Sequence, residues 1–382
     1  MNDRRNQDCR RKGLSKVDSR TRVEMSLSYQ EPDRVPIDFW ASSEVTTRLL
    51  NHYALSSKEE LLRLFNVDFR YIDGPVYIGP ELVSKADGTI EDPFGVPRRR
   101  IFYGTGEHAG AYSEVAFSPL EAASSVEQIE RYPKWPVAEW FDYEHVFEQA
   151  RQAREAGKIV VFMGDRMNRC AQLKPAMYLR GMEQILLDLY LNEDMARAIF
   201  RHITDFYCEY LRRTLAAGQG LIDILFTGDD FGTQQNTFMP VETWRKMLKE
   251  GFKRFIDIGH EFGCKVAHHT CGSIINLVPE FIECGLDILN PLQPEAHGMD
   301  FERLKGEFGR DIVFHGGISI QNTLPYGTVD DVRNEVRDRV ARLAEGGGYL
   351  FCTAHNIQAD TPLDNIKSLF EAYSEFGAYR NQ

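Results

Sequence analysis

The chain has 382 residues, of which 43% are hydrophobic and 27% charged, an ordinary balance for a globular protein with a large core. Its net charge of −12 at pH 7 argues against nucleic acid as a partner and disfavours a polyanionic substrate, because polyanions bind to basic surfaces. Seven cysteines, an odd number in a long chain, indicate reduced thiols and a cytoplasmic protein, and no apolar run predicts a membrane span.

The amino-terminal 20 residues are polar and basic, and no apolar stretch follows them. We therefore predict a disordered tail over residues 1–20 and not a signal peptide. Residues 21–382 are predicted to form a single domain, since α/β barrels commonly exceed 200 residues as one unit.

Eight short apolar runs predict the strands of a parallel sheet that is covered on both faces, since most are continuous and rich in Val, Ile, Leu and Phe. The predicted strands are Val35–Trp40, Val67–Ile72, Ile159–Gly164, Ile222–Gly228, Lys265–His269, Asp287–Pro291, Ile312–Gly316 and Tyr349–Thr353. Amphipathic helical stretches lie between them. Eight alternating units predict an α/β fold, a closed (β/α)8 TIM barrel, with a doubly wound open sheet as the alternative.

The stretch 73–143 interrupts this alternation and is rich in Gly, Pro and aromatic residues. Turn sequences at Asp87-Gly88 and at Gly104 predict a β-hairpin insertion. Because it follows an early strand, the insertion is expected to cover the mouth of the barrel.

Polar side chains follow five consecutive predicted strands, at the carboxyl end where an α/β barrel holds its active site. They are Asp229, Asp230 and Gln234, then His269 and Cys271, then Asn290 and Gln293, then His315 and Ser319, and finally Cys352, His355, Asn356 and Gln358. Together they indicate a site more strongly than any single residue does. Structural alternatives remain: Asp229 and Asp230 could cap a turn, and His315 could be a buried core histidine.

His269 and Cys271 form the most specific pair, because residues i and i+2 of an extended segment point the same way. Zinc binds such nitrogen and sulfur ligands in tetrahedral geometry, and a catalytic zinc takes about three protein ligands. Cys352 or His355 is expected to supply the third, and the sequence does not decide between them. Asp230 is a further oxygen ligand to consider. Without a metal, the pair would contact the substrate directly.

Six segments together resemble the uroporphyrinogen decarboxylase-like superfamily, over about Arg22 to Phe376. They are EPDRVPIDF at 31–39, GDDFGTQ at 228–234, HTCGSI at 269–274, DILNPLQ at 287–293, FHGGIS at 314–319 and GGGYLFCTAHNIQADTPLDNI at 346–366. The superfamily includes cofactor-free decarboxylases of uroporphyrinogen and zinc-dependent methyltransferases that exchange methyl groups with a corrinoid protein. In the methyltransferases a His-x-Cys pair and a later cysteine bind the metal. His269 and Cys271 match the pair, and the later cysteine falls near the eighth predicted strand, where this chain has Cys352 and, three residues on, His355.

The resemblance implies a zinc-dependent methyltransferase whose partner is a corrinoid-binding protein and whose substrate is a small methyl donor or acceptor. A thiol and a methoxylated aromatic compound, which would undergo O-demethylation, are both compatible with it. The aromatic residues expected near the mouth would suit the second: Trp40, Tyr71, Tyr77 and Phe102. Within this hypothesis, Asp230 and His315 are the catalytic candidates. The candidates for substrate binding are Trp40, Asp229, Gln234, Asn290 and Gln293.

Two alternatives belong to other functional classes. A cofactor-free decarboxylase or lyase is disfavoured by charge, because no arginine lies in the stretch 40–44 and the predicted mouth is acidic. A barrel that binds a corrinoid or tetrapyrrole without catalysis is the other. The oligomeric state is open, and a homodimer is one option.

Overall fold

A curled parallel sheet of seven strands forms the centre of the molecule, in the order β1-β7-β8-β9-β10-β11-β12. The computed structural model describes residues 17–106, 109–164 and 169–379. Its strands are β1 Phe69–Ile72, β2 Val76–Tyr77, β3 Ile90–Glu91, β4 Pro97–Tyr103, β5 Gly110–Val115, β6 Phe141–Asp142, β7 Ile159–Phe162, β8 Ile224–Gly228, β9 Lys265–His269, β10 Ile288–Leu292, β11 Val313–Ile318 and β12 Tyr349–Thr353. All seven strands of the large sheet were predicted to within two residues of their bounds.

The predicted first strand, Val35–Trp40, is not a regular strand. Its segment makes isolated parallel bridges, Ile37 to Phe351 and Ala41 to Ile357, and so runs beside β12. On its other side the Asp68 N–H, just before β1, donates to the Ile37 carbonyl at 3.0 Å. A continuous ladder does not form there, because the Ile37 N–H is bound by the Asp68 side chain. The segment nevertheless occupies the place expected for an eighth strand, between the two edge strands.

Helices pack around the sheet. They are α1 Ser19–Leu27, α2 Ser43–His52, α3 Lys58–Leu64, α4 Val126–Glu130, α5 Val146–Glu155, α6 Leu173–Arg180, α7 Met182–Leu191, α8 Glu193–Ala217, α9 Val241–Met247, α10 Lys249–Glu261, α11 Val278–Glu283, α12 Phe301–Phe308, α13 Thr323–Tyr326, α14 Val329–Leu343 and α15 Leu363–Phe376. The longest, α8, buries Ile199, Ile203 and Leu211 at helical spacing. None of the helices in the described ranges has the length and apolar character needed to cross a membrane.

Helix α1 begins inside the segment predicted as a tail. The Asp18 carboxylate accepts the Thr21 N–H at 2.8 Å and caps the helix, which starts at Ser19. Residues 1–16 of the predicted tail lie outside the described residues.

Residues 73–143 form two small antiparallel sheets between β1 and α5. At the base, β2 pairs with β6, with Val76 opposite Asp142. The second sheet holds β3, β4 and β5, and within it Tyr103 lies opposite Gly110. Tyr103 and Tyr112 of this sheet line the same cavity as residues at the ends of the barrel strands. The β3–β5 sheet therefore stands over the carboxyl end of the parallel strands.

Two apolar layers hold the fold together. One fills the inside of the curled sheet and includes Ile288 and Cys352, while the other lies between sheet and helices and includes Leu289 and Phe351. Successive side chains of a strand point to opposite sides, so neighbours in sequence enter different layers. This alternation decides which strand-end side chains face the barrel interior.

Candidate active site

A cavity of about 680 Å³ opens at the carboxyl end of the strands. Its lining combines strand-end residues, such as Asp230 and His269, with Lys174 of α6 and with Tyr103 and Tyr112 of the β3–β5 sheet. The volume lies within the range of small-molecule sites. The cavity therefore lies at the end of the barrel where the sequence predicts the site.

The side chains of His269, Cys271 and His355 form a cluster in which one ligand atom of each lies within 4.8 Å of the others. The two histidines of this cluster line the cavity. His269 Nε2 is 3.3 Å from Cys271 Sγ. The ring centroids of His269 and His355 are 5.4 Å apart. Because His269 ends β9 and Cys271 follows two residues later, both side chains leave the chain on the same side.

Cys352, the alternative third ligand, lies in a different cluster, inside the barrel with Asp38 and His315. It is still within β12 and is fully buried, whereas His355 follows the end of that strand at Thr353. Of the two residues that the sequence left open, the geometry favours His355.

Burial acts on both His269 and Cys271, and it leaves the histidine in the form that binds a cation but keeps the thiol protonated. It lowers the pKa of His269 well below its usual value, so the imidazole is neutral and one nitrogen keeps a lone pair. Burial, followed by Asp230, raises the pKa of the Cys271 thiol to about 12. Such a thiol becomes a thiolate at neutral pH only beside a cation. Two imidazoles and one thiolate are a donor set that fits zinc.

Asp230 fixes the backbone of Cys271 and is neutralised by a lysine. Its Oδ1 accepts the Cys271 N–H at 3.1 Å and lies 3.9 Å from His269 Nε2, and Lys174 forms an ion pair with its other oxygen. Burial alone would raise the pKa of Asp230, but the Lys174 ammonium holds it well below its usual range. Asp230 is therefore placed as an anion beside the histidine and cysteine.

Asp229, expected to bind substrate, does not line the cavity. Its side chain is buried, with 1% of the residue exposed, and its carboxylate accepts three backbone N–H groups near the start of α6. These donors are Gln172, Leu173 and Lys174, at 2.7, 2.6 and 2.7 Å. The expected role needs correction, because every one of these contacts anchors α6.

Of the other predicted substrate-binding residues, one lines the cavity and the rest support neighbouring parts of the site. Trp40 lines the cavity. Gln293 accepts the Gly272 N–H at 2.8 Å and donates to Gln234 at 3.2 Å, so this pair supports the loop after Cys271. Asn290 is fully buried and accepts from His269 Nδ1 at 2.6 Å.

His315, a predicted catalytic residue, lies inside the barrel and not at the cavity, with 2% of the residue exposed. Its Nδ1 is 2.7 Å from the Asn290 amide nitrogen. A side chain in this position does not reach a substrate in the cavity, so the expected direct role in catalysis needs correction.

Three basic residues line the cavity, Arg98, Arg169 and Lys174. Arg98 pairs with the buried Asp92 at 2.8 Å and lies over the Tyr178 ring at 4.4 Å. They belong to β4, to the segment before α6 and to α6 itself, so the pattern of strand ends did not reveal them. Three carboxylates, Glu44, Asp92 and Asp230, line the same cavity, so the mouth carries both signs of charge and is not simply acidic as expected.

Aromatic residues also line the cavity, although mostly not the predicted ones. Of the four expected there, only Trp40 does so. Tyr71 donates to Asp38, Tyr77 packs on Trp140, and Phe102 is 74% exposed. The aromatic residues found in the lining are Trp40, Phe94, Tyr103, Tyr112, Tyr178 and Tyr207.

Two curated relatives are methyltransferases that share part of this chain. A methylated-thiol–coenzyme M methyltransferase from Methanosarcina mazei is 23% identical over 198 residues, which cover 52% of this chain and 49% of that protein. A methylcobamide:CoM methyltransferase from Methanosarcina barkeri is 25% identical over 140 residues, or 37% of this chain and 38% of that protein. The chain thus spans about half or less of the length of the curated relatives it matches.

The fold has a solved counterpart, described as a methyltransferase from Methanosarcina mazei, with a TM-score of 0.62 and 18% identity. The alignment covers 95% of this chain and 100% of that one. The family model described as uroporphyrinogen decarboxylase (URO-D) matches residues 119–376, which is more than half of the chain. The chain therefore belongs to the uroporphyrinogen decarboxylase (URO-D) family.

Proposed function

We propose that the chain is a zinc-dependent methyltransferase that moves a methyl group between a small substrate and a corrinoid bound to a partner protein. The observation that carries this proposal is the group of His269, Cys271 and His355 beside a cavity of about 680 Å³. Relatives named for transfer from methylated thiols and from methylcobamide to coenzyme M support it. In this proposal His269 Nε2, Cys271 Sγ and a ring nitrogen of His355 hold the zinc.

Zinc, when bound, supplies Lewis acidity, which lowers the pKa of a thiol acceptor or stabilises the oxygen left when an ether loses its methyl group. The chain itself orients the ligands and screens the site. Asp230 holds the Cys271 backbone, and Lys174 balances the Asp230 charge. Tyr103 and Tyr112 of the β3–β5 sheet cover the cavity and reduce its exposure to water.

The cavity lining supports both substrate classes considered from the sequence. Rings such as Trp40, Phe94 and Tyr178 offer faces for a methoxylated aromatic compound. Arg169 adds positive charge to the lining, whereas the charge of Lys174 is balanced by Asp230. We therefore propose a small aromatic ether or a thiol as the substrate class.

Metal analysis of the purified protein tests the proposal. We expect about one zinc per chain, in keeping with one group of three ligands, and loss of zinc in Cys271→Ala and His355→Ala variants. Cys352→Ala, which removes a buried sulfur outside the group, serves as the matched control and should keep its zinc. Methyl transfer from methylcobalamin to thiols, and from methoxybenzoates to cob(I)alamin, should follow the zinc content.

A zinc-free wild-type protein that still turns over these substrates would overturn the proposal. If Cys352→Ala loses its zinc while His355→Ala keeps it, the third ligand is Cys352 and not His355.

A further inference from the structure

We propose that a buried relay of three side chains fixes the tautomer of the candidate zinc ligand His269. The relay consists of Asp38, His315 and Asn290 and runs through the barrel interior to His269 Nδ1. This inference rests on the proposed function, because its consequence is metal binding at His269 Nε2. The relay residues act as positioning residues, since none of them lines the cavity.

The far end of the relay, Asp38, accepts hydrogen bonds only. Its Oδ1 accepts the Phe39 N–H at 2.7 Å, and its Oδ2 accepts Trp40 Nε1–H at 3.0 Å and the Tyr71 hydroxyl at 2.5 Å. His315 Nε2 lies 3.2 Å from the same Oδ2, as an ion-pair contact that lacks the geometry of a hydrogen bond. Both side chains are only 2% exposed. An imidazole nitrogen that faces a buried carboxylate carries its proton, so His315 Nδ1 is left as an acceptor.

Asn290 links His315 to His269, and its donor to one histidine determines which atom faces the other. Its Nδ2 lies 2.7 Å from His315 Nδ1 and donates to it, which turns its Oδ1 toward His269 Nδ1, 2.6 Å away. Because an amide oxygen only accepts, His269 Nδ1 must carry the proton. The lone pair of His269 is then on Nε2, the atom that lies 3.3 Å from Cys271 Sγ. Metal-bound histidines are commonly oriented by such a partner on their other nitrogen.

A second metal site could also explain why Asp38 and His315 are buried together, because ligand atoms of Asp38, His315 and Cys352 lie within 4.8 Å of one another. The adjoining cavity measures only about 10 Å³, which is roughly the space of one water. A cation bound to Asp38 Oδ2 would also have to displace the donors Trp40 and Tyr71. The hydrogen bonds around Asp38 therefore favour the relay.

Asp38→Asn tests the relay without changing the size of the side chain. The new amide can donate to His315 Nε2, because Trp40 Nε1–H keeps the Tyr71 hydroxyl oxygen as an acceptor at 2.8 Å and that hydroxyl can turn to accept from the amide nitrogen. Asn290 then turns over, and the proton moves to His269 Nε2. We expect the zinc affinity, measured by competition with a chromophoric chelator, to fall about 10- to 100-fold, as it does when such outer partners are lost. The visible spectrum of the cobalt(II)-substituted protein should change with it.

The double variant Asp38→Asn/Asn290→Asp provides a rescue that a packing role would not produce. A carboxylate at position 290 accepts from Nδ1 of both His269 and His315, so His269 Nε2 regains its lone pair. We expect the zinc affinity and the cobalt(II) spectrum to return toward wild type. Thr227→Val is the matched control, because it removes the 2.8 Å contact to His268 on the same strand, outside the relay.

Each outcome separates the relay from the proposed function. Equal zinc affinity in the wild type and in folded Asp38→Asn would overturn the relay and leave the zinc enzyme standing. Weaker binding without rescue in the double variant would also overturn it. If Asp38→Asn does not fold, the double variant decides, since the relay requires its zinc affinity to stay near wild type. A wild type that binds no zinc would overturn the proposed function.

Discussion

Asp229 and Asp230 are adjacent in the chain and yet have different roles, because the end of β8 turns the two side chains in different directions. Asp229 binds three backbone N–H groups near the start of α6, while Asp230 faces His269 and Lys174 at the cavity. A carboxylate near the start of a helix is stabilised by the exposed N–H groups there. The first carboxylate therefore supports the position of the lysine that neutralises the second.

Asp229→Ala should destabilise the protein without acting on substrate binding directly. It leaves three buried N–H groups without an acceptor, and each such group costs about 1–3 kcal/mol. We expect the free energy of unfolding in urea to fall by about 3 kcal/mol or more. A stability equal to wild type together with a raised KM would contradict this and restore the substrate-binding role expected from the sequence.

Also at the residue scale, the His269–Cys271 pair could be predicted from the sequence. Side chains two residues apart in an extended segment point to the same side, whatever the position of that segment in the fold. The third donor could not be predicted, because Cys352 and His355 differ only in whether β12 has ended. Asn290 and His315 were recognised as polar strand-end residues, but their roles depend on partners on other strands. The basic residues of the cavity come from the insertion, from the segment before α6 and from α6 itself, and so lay outside the strand-end pattern.

At the scale of elements, the parallel strands were predictable because a strand buried on both faces is a continuous apolar run. The segment Val35–Trp40 has the same composition but makes isolated bridges, since Asp68 supplies a side-chain acceptor where a strand would supply a carbonyl. The pattern of apolar residues does not contain that information. Helices α6 and α7 are separated at Gly181, and α9 and α10 at Leu248, although the apolar periodicity of the sequence does not mark these breaks.

The β4–β5 hairpin can be removed to test what it contributes to the site. Arg98 and Val115 are paired across it, so residues 99–114 can be replaced by an Asn-Gly turn. We expect an unchanged zinc content, because the three proposed ligands all come from the barrel. The KM for the small substrate should rise about tenfold or more, a loss of roughly 1.4 kcal/mol of binding, because Tyr103 and Tyr112 no longer cover the cavity. An unchanged KM would exclude the hairpin from substrate binding.

At the scale of the whole molecule, the amino end of the sheet contributes to stability and the carboxyl end carries the cavity. Three aspartates precede strands at the amino end, and each accepts an N–H from a neighbouring segment. Asp68 binds Ile37 at 3.0 Å, Asp223 binds Val160 at 2.8 Å, and Asp287 binds Val266 at 2.9 Å. Each also forms ion pairs with basic side chains. These contacts join neighbouring segments at the end opposite the cavity, where barrels place stability and not catalysis.

Asp68→Ala and Asp287→Ala should therefore differ in stability but not in zinc content. Asp68 is fully buried and pairs with Arg22 and Arg34, each at 2.8 Å. Its loss removes the carboxylate partner of Arg34 and leaves Arg22 with Asp33 alone, at a cost of about 3 kcal/mol. Asp287 pairs with Lys265, whose side chain is 52% exposed, and such pairs contribute about 1 kcal/mol or less. Urea unfolding measures the difference. Equal losses, or zinc lost from folded Asp68→Ala protein, would contradict this division between the two ends of the barrel.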